Sequence, residues 1–280
     1  ERFTRIKHDY GFDQAFLNKT LEHCGMTFDD IDLIVTNSQD FKRPPPWKVP
    51  STSANNVERF MINGKQAYAV NHHLAHIASA YYTSPFDEAT IITQDGGGDE
   101  ENFSYGTAKD NDITGFFRSN VRNIASYWSG ITLNNYRMPR LHAWDPGSGA
   151  GKIMALAAYG VTNLELEQVL QNTMDQPIQS HYTDPHSIAF NNDEDLSDVN
   201  QQRSKDVAAA LQSYTEKAIH HIYELIYAEA PSDNLCIAGG IALNCVANTR
   251  VKSKFKNIHV PPFPNDTGLG IGLALFGHHK

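Results

Sequence analysis

Two histidines four residues apart, His72 and His76 in Asn71-His72-His73-Leu74-Ala75-His76, are the side chains best spaced to do chemistry. On a helix that spacing puts both on one face, about 6 Å apart at Cβ. Two neutral imidazoles so placed can clamp one divalent ion. No Glu lies between them, so the metalloprotease pattern His-Glu-x-x-His is excluded. The pair alone fits equally well with histidines that cap a helix or pack in a core. Asp95 follows a β-rich run and precedes Gly96, Gly97 and Gly98. A carboxylate at the C-terminal end of a strand is where open α/β sheets place ligands. The glycines let backbone N–H groups approach phosphate oxygens without a Cβ in the way. A tight turn needing positive φ is the plainer reading, but three glycines exceed what a turn needs. Asp266, in Asn265-Asp266-Thr267-Gly268, opens a helix and serves there as N-cap or as ligand.

Ile237-Ala238-Gly239-Gly240-Ile241-Ala242-Leu243-Asn244 is a second strand-to-glycine junction. Such a turn binds an anion, lets a nucleotide pack on bare backbone, or closes a helix onto a strand. It is neither a P-loop nor a Rossmann fingerprint. Lys152, after Gly149-Ala150-Gly151, offers a cation for a phosphate or a solvated surface lysine. Ser79 lacks the Gly-x-Ser-x-Gly context of a hydrolase elbow.

These residues need elements to hold them. Helical spacing of Phe12, Phe16, Leu17 and Leu21 ends at Gly25. Strands are expected at 32–36, 67–70, 89–93, 235–238 and 258–260, and a hairpin over 103–117. Helices are expected at 72–82, from Val207 to Ile226, from Gly240 through Asn248, and at 269–276. The Pro-rich run 43–47 and the segment 134–151 read as loops, and the polar stretch 175–198 as an exposed excursion. Alternating strands and helices with one antiparallel hairpin argue for an α/β fold on a mixed sheet.

The 280 residues carry 23 Lys+Arg and 32 Asp+Glu, a net charge of −9. That balance weighs against broad nucleic-acid binding, which depends on neutralising phosphates. No apolar run approaches the roughly 20 residues that span a bilayer, so no membrane partner is expected. Cys24, Cys236 and Cys245 are too few for a disulfide scaffold, and a cytoplasmic location fits best. The chain starts without Met and reads as a fragment of something longer.

Taken together, the motifs resemble the O-carbamoyltransferases of the nodulation and antibiotic-tailoring type. The resemblance rests on the His72–His76 motif, Ser79-Ala80-Tyr81-Tyr82, Ser84-Pro85-Phe86 and Asp95-Gly96-Gly97-Gly98. It continues through the lysine-led motif from Lys152 to Gly160, the signature NLCIAGGIALNCVAN from Asn234 to Asn248, and Asn265-Asp266-Thr267-Gly268. It spans nearly the whole chain. It implies the actin-like ATPase fold (sugar kinase, actin and RNase H-like), two related α/β halves around a nucleotide cleft. The halves are expected at 1–120, with the histidine motif, and 121–280, with the Gly-Gly motif. The implied reaction uses carbamoyl phosphate and ATP to make a carbamoyl-adenylate, then carbamoylates a hydroxyl of a small molecule.

By the same resemblance His72, His76, Asp95 and Asp266 are the ligands of a divalent metal, with Fe2+ favoured over Zn2+ or Mn2+. Gly96, Gly97, Lys152, Gly239, Gly240 and Asn244 are the nucleotide contacts, and Lys7 holds the substrate phosphate. A YrdC-like domain completes family members and is absent here. Also absent is an early strand with a His-Asp motif, and Asp99 stands where Glu is expected. The alternatives are a relative of the tRNA threonylcarbamoyl transferases and a non-catalytic nucleotide-binding fragment.

Overall fold

The run Thr90-Ile91-Ile92-Thr93 is apolar on both faces, and it forms the middle of a strand buried on both sides. The computed structural model describes residues 14–37, 49–52, 54–121, 123–138, 149–174, 188–250 and 254–280. Strands β1 (Leu33–Asn37), β2 (Val57–Ile62) and β3 (Lys65–Val70) make a three-stranded sheet in the order β1-β3-β2. β1 runs parallel to β3 and β2 antiparallel to it. The second sheet joins β4 (Glu88–Gly98), β5 (Glu101–Lys109), β6 (Asp112–Ser119), β7 (Asn234–Ala238) and β8 (Asn257–His259) in the order β6-β5-β4-β7-β8. β4, β7 and β8 are parallel, while β5 is antiparallel to both of its neighbours.

This topology corrects the expected division at residue 120. β4, β5 and β6 precede that point and β7 and β8 follow it, yet all five share one sheet. The cause is the parallel ladder that pairs Thr90 with Leu235 and Thr93 with Ala238.

The helices are α1 (Gln14–His23), α2 (His72–Tyr82), α3 (Ile124–Asn134), α4 (Ala150–Leu156), α5 (Leu164–Met174), α6 (Gln202–Glu229), α7 (Cys245–Thr249) and α8 (Leu269–His278). α2 packs on β4 and β7 and crosses α8, which lies on β1. The crossing explains the small residues of α8: a Cβ at Gly272 would sit 2.1 Å from the Ala75 carbonyl oxygen. Ile77, Ile91 and Cys236 form the core on the α2 side of the larger sheet. Ile92, Phe103, Trp128, Leu211 and Ile237 belong to the larger core, built with α3 and α6.

Several local expectations change. β2 was not expected, although Asn63-Gly64 (φ 47° and 82°) is the two-residue turn that joins it to β3. α3, α4 and α5 also went unread. The helix expected through Asn248 is a 3-10 turn, Gly240–Leu243, followed by α7, because Asn244 leaves helical geometry to cap α7. Residues 188–198 are not an exposed excursion: Ile188, Phe190 and Leu196 are buried, and the Asn135 side chain bonds Phe190 N, Phe190 O and Glu194 O. The loops expected at 43–47 and 139–148 lie outside the described residues. No described helix is long and apolar enough to cross a membrane.

Candidate metal centre

α2 begins at Asn71, whose side chain accepts from His73 N and Leu74 N at 2.9 and 3.2 Å. That cap fixes the helix phase and turns His72 and His76 towards the C-terminal end of β4. There the ladder with β5 breaks register between Gln94 and Gly98. Asp95, Gly96 and Gly97 face the single residue Asn102, a bulge that aims the Asp95 carboxylate at α2. Gly96 N–H holds Asp95 Oδ1 at 2.6 Å, leaving Oδ2 for the histidines. Asp266 comes from the 3-10 turn that leads into α8.

The four predicted ligands meet. His76 Nε2 lies 2.9 Å from Asp95 Oδ2, 3.3 Å from Asp266 Oδ1 and 3.2 Å from His72 Nε2. His72 Nε2 lies 3.5 Å from Asp95 Oδ2 and 3.4 Å from Asp266 Oδ1. Ligand bonds of about 2.0–2.2 Å would put neighbouring donor atoms about 2.8–3.6 Å apart. The donor set therefore fits one cation, with two carboxylates to balance a divalent charge. The histidines are buried and Asp95 nearly so, whereas the Asp266 side chain is 68% exposed. The centre is closed on the helix side and open at Asp266.

Without an ion, a proton does the bridging. Burial alone would lower the His76 pKa, but hydrogen bonds to Asp266 and Asp95 outweigh it and lift the value to about 9. Burial likewise works to raise Asp95, yet His72 and His76 hold its carboxyl well below the usual range. His76 Nδ1 has no polar partner among the described residues, so its orientation is set from the Nε2 side.

His73 plays a different part. Its Nδ1 accepts from Thr93 Oγ1 at 2.8 Å, and its Nε2–H donates to the Glu101 carbonyl at 3.1 Å. Thr93 Oγ1 in turn pairs with Ser104 Oγ at 2.6 Å. The buried ring stays neutral: burial first, then the neighbouring His72 and His76, depress its pKa to about 3. Between that value and 6.5 the unfolded chain binds the extra proton, so at this position stability rises with pH across that window. His73→Phe leaves the Thr93 hydroxyl with Ser104 as its partner and takes a donor from the part-buried Glu101 carbonyl, and is expected to cost about 1–3 kcal/mol in urea denaturation.

The glycine junctions meet at the same sheet end. A Cβ at Gly239 (φ 88°) would lie 2.3 Å from Gln94 O, and one at Gly240 would lie 3.0 Å from Asp95 Oδ1. Asn244 caps Ala247 N and exchanges two hydrogen bonds with Gln212. Lys152 is exposed on α4, and Lys7 lies outside the described residues. Gly98 was missed as a site residue. A Cβ there would lie 2.4 Å from the His72 ring, so glycine admits the imidazole; the third glycine of the run was the available signal.

Residues 47–275, which hold all four donors, match the family described as Carbamoyltransferase N-terminus. The chain belongs to this carbamoyltransferase family. It is 30% identical over 338 aligned residues to an uncharacterised protein of Synechocystis sp., covering 100% of this chain and 52% of that one. It is 25% identical to Nodulation protein NolNO of Sinorhizobium fredii, over 98% of this chain and 43% of the relative. Identity to Nodulation protein U of Rhizobium fredii is 29%, over 72% and 38%. The chain thus spans about half, or less, of the length of these curated relatives. Among solved structures, HypF of T. kodakarensis superposes with a TM-score of 0.55 at 12% identity, over 95% of this chain and 43% of that one. That likeness concerns the fold. This member of the family has the actin-like ATPase class of α/β fold that its motifs implied.

Proposed function

We propose that His72, His76, Asp95 and Asp266 bind one divalent cation, Fe2+ first and Zn2+ or Mn2+ otherwise. In this reading the chain is the ATP-binding part of an O-carbamoyltransferase. The observation that carries it is the convergence of four donor atoms at the shared end of β4 and β7, inside the matched range. Water cleaves carbamoyl phosphate to carbamate and inorganic phosphate, and a carbamate oxygen attacks the α-phosphorus of ATP, so that pyrophosphate leaves and a carbamoyl-adenylate forms. A hydroxyl oxygen of a small-molecule acceptor then attacks the carbamoyl carbon. The bond from that carbon to the adenylate oxygen breaks, AMP leaves and the hydroxyl proton is lost. The cation, when bound, supplies positive charge for the nucleotide phosphates.

The chain's own residues do the positioning. Gly239, whose Cβ direction is filled by the Gln94 backbone, brings the turn against β4, and Gly240 leaves bare backbone beside Asp95 for a phosphate. Gly96 and Gly97 do the same on the β4 side. Lys152 is assigned to a phosphate by its motif, and Lys7 to carbamoyl phosphate by the resemblance. Asn244, hydrogen-bonded to Gln212 and Ala247 N, shapes the Gly-Gly turn and keeps one Nδ2–H for the nucleoside. A YrdC-like domain is the proposed partner in a protein of the relatives' length. The net charge of −9 supports a small-molecule acceptor over a nucleic acid.

Calorimetric titration of ATP, run anaerobically with and without Fe2+, tests the reading. ATP binding that appears only with the metal is expected. ATP binding that ignores the metal, or no metal binding at all, overturns it.

A further inference from the structure

The turn between β4 and β5 consists of Asp99 and Glu100, at φ 52° and 76°. A two-residue hairpin with both residues left-handed ordinarily uses Asn-Gly or Asp-Gly. Side chains at both positions cost roughly 1–2 kcal/mol each. Such strain persists only where the surroundings impose it. Here they do. Asn120 Nδ2–H donates to Glu100 O at 3.0 Å, and Asn123 Nδ2–H donates to Gly96 O at 2.8 Å. The Asn102 side chain makes two hydrogen bonds with the Val121 backbone.

The strained turn delivers one thing to the centre. Asp99 is fully buried, and its Oδ2 accepts from His72 N–H at 2.5 Å. Asn71 already serves the next two amides of α2, so Asp99 completes the first turn of the helix. Beside it, Gly98 lets the His72 ring lie against the same turn. His72 is therefore gripped by backbone and ring, from the end of the same strand, β4, that carries Asp95.

We infer that Asp99 is a positioning residue of the metal centre. Its carboxylate, presented by a left-handed turn, ties the first turn of α2 to β4 and so fixes the spacing of His72 from Asp95. The inference rests on the metal reading above. It accounts for a strained, buried acid that lies outside the four-donor cluster.

Two variants test it, with Co2+ as the probe in calorimetric titrations of the purified chain and thermal melting of the metal-free protein. Asp99→Gly suits the left-handed turn but removes the acceptor. Its melting temperature is expected to stay within a few degrees of the parent while the Kd for Co2+ rises about 10–100-fold. Asp99→Asn tolerates the same backbone and keeps an acceptor oxygen, so it is expected to bind within a few-fold of the parent. A merely structural role would move melting and affinity together. Unchanged Co2+ affinity in Asp99→Gly overturns the inference. Equal losses in both variants also overturn it, because they would assign the effect to charge. Failure of the parent itself to bind Co2+ is a different result, and it counts against the metal reading.

Discussion

Asp266→Ala is expected to weaken metal binding about a hundredfold or more, since losing even an outer hydrogen-bond partner of a ligand costs about 10–100-fold. The same change should cost about 1 kcal/mol of folding stability in the metal-free protein, because the buried His76 loses one carboxylate partner and keeps Asp95. The asymmetry comes from exposure. The Asp266 side chain is 68% exposed, and its oxygen meets the histidines from the open side of the centre. His76→Ala should lose the metal to a similar degree, and fold less stably still. Its imidazole is fully buried and lies 2.9 Å from Asp95 Oδ2. Removing one partner of a buried pair costs about 3–5 kcal/mol, because the other charge is left without its counterpart. Metal titration and urea denaturation of the two variants, side by side, separate ligation from packing. Parent-like metal affinity in Asp266→Ala would sink the four-donor centre and reduce the cluster to a buried ion pair.

The centre was legible in the sequence because its parts obey short-range rules. A helix puts His72 and His76 on one face whatever surrounds it, and a strand end followed by glycines is a place where chains bind ligands. What brings Asp95 to the histidines is less visible. It depends on the register break in β4, and the run of glycines hints at it without fixing it. Asp99 was read only as a departure from an expected Glu, because nothing local tells that a buried carboxylate will cap a helix 27 residues earlier. The partners of Asn244 were hidden for a similar reason. Its motif points to a nucleotide, while its amide also bonds Gln212, a residue 32 positions away on α6. The domain boundary failed because sheet order is non-local: β7 joins β4 only after the chain has built α3, α4, α5 and α6. β2 is an omission that the sequence did announce, through Asn63-Gly64.

Gly239→Ala is expected to be the most destabilising single methyl group at the site, at about 3 kcal/mol or more when strain and overpacking are combined. Gly239 has φ 88°, a region that costs an alanine free energy before any contact is made. The new Cβ would then lie 2.3, 2.7 and 2.9 Å from Gln94 O, C and N. Those are backbone atoms of β4, and Gln94 is held in register with Phe103 of β5, so they cannot swing aside as a side chain would. Gly239 N–H also donates to Pro264 O at 2.7 Å, which ties the turn to the segment that brings Asp266. Gly240→Ala makes the informative contrast. Gly240 has no positive φ, and its Cβ would lie 3.0 Å from Asp95 Oδ1 alone among close neighbours. It should change stability by less than about 1 kcal/mol and weaken metal binding only a few-fold, through a slight displacement of the Asp95 carboxylate. Loss of ATP binding in Gly239→Ala would therefore report a broken sheet end. The same loss in a well-folded Gly240→Ala would report a phosphate pressed against bare backbone. Urea denaturation of both variants decides which applies, and a Gly239→Ala protein as stable as the parent would contradict the close approach of β7 to β4 on which the site is built.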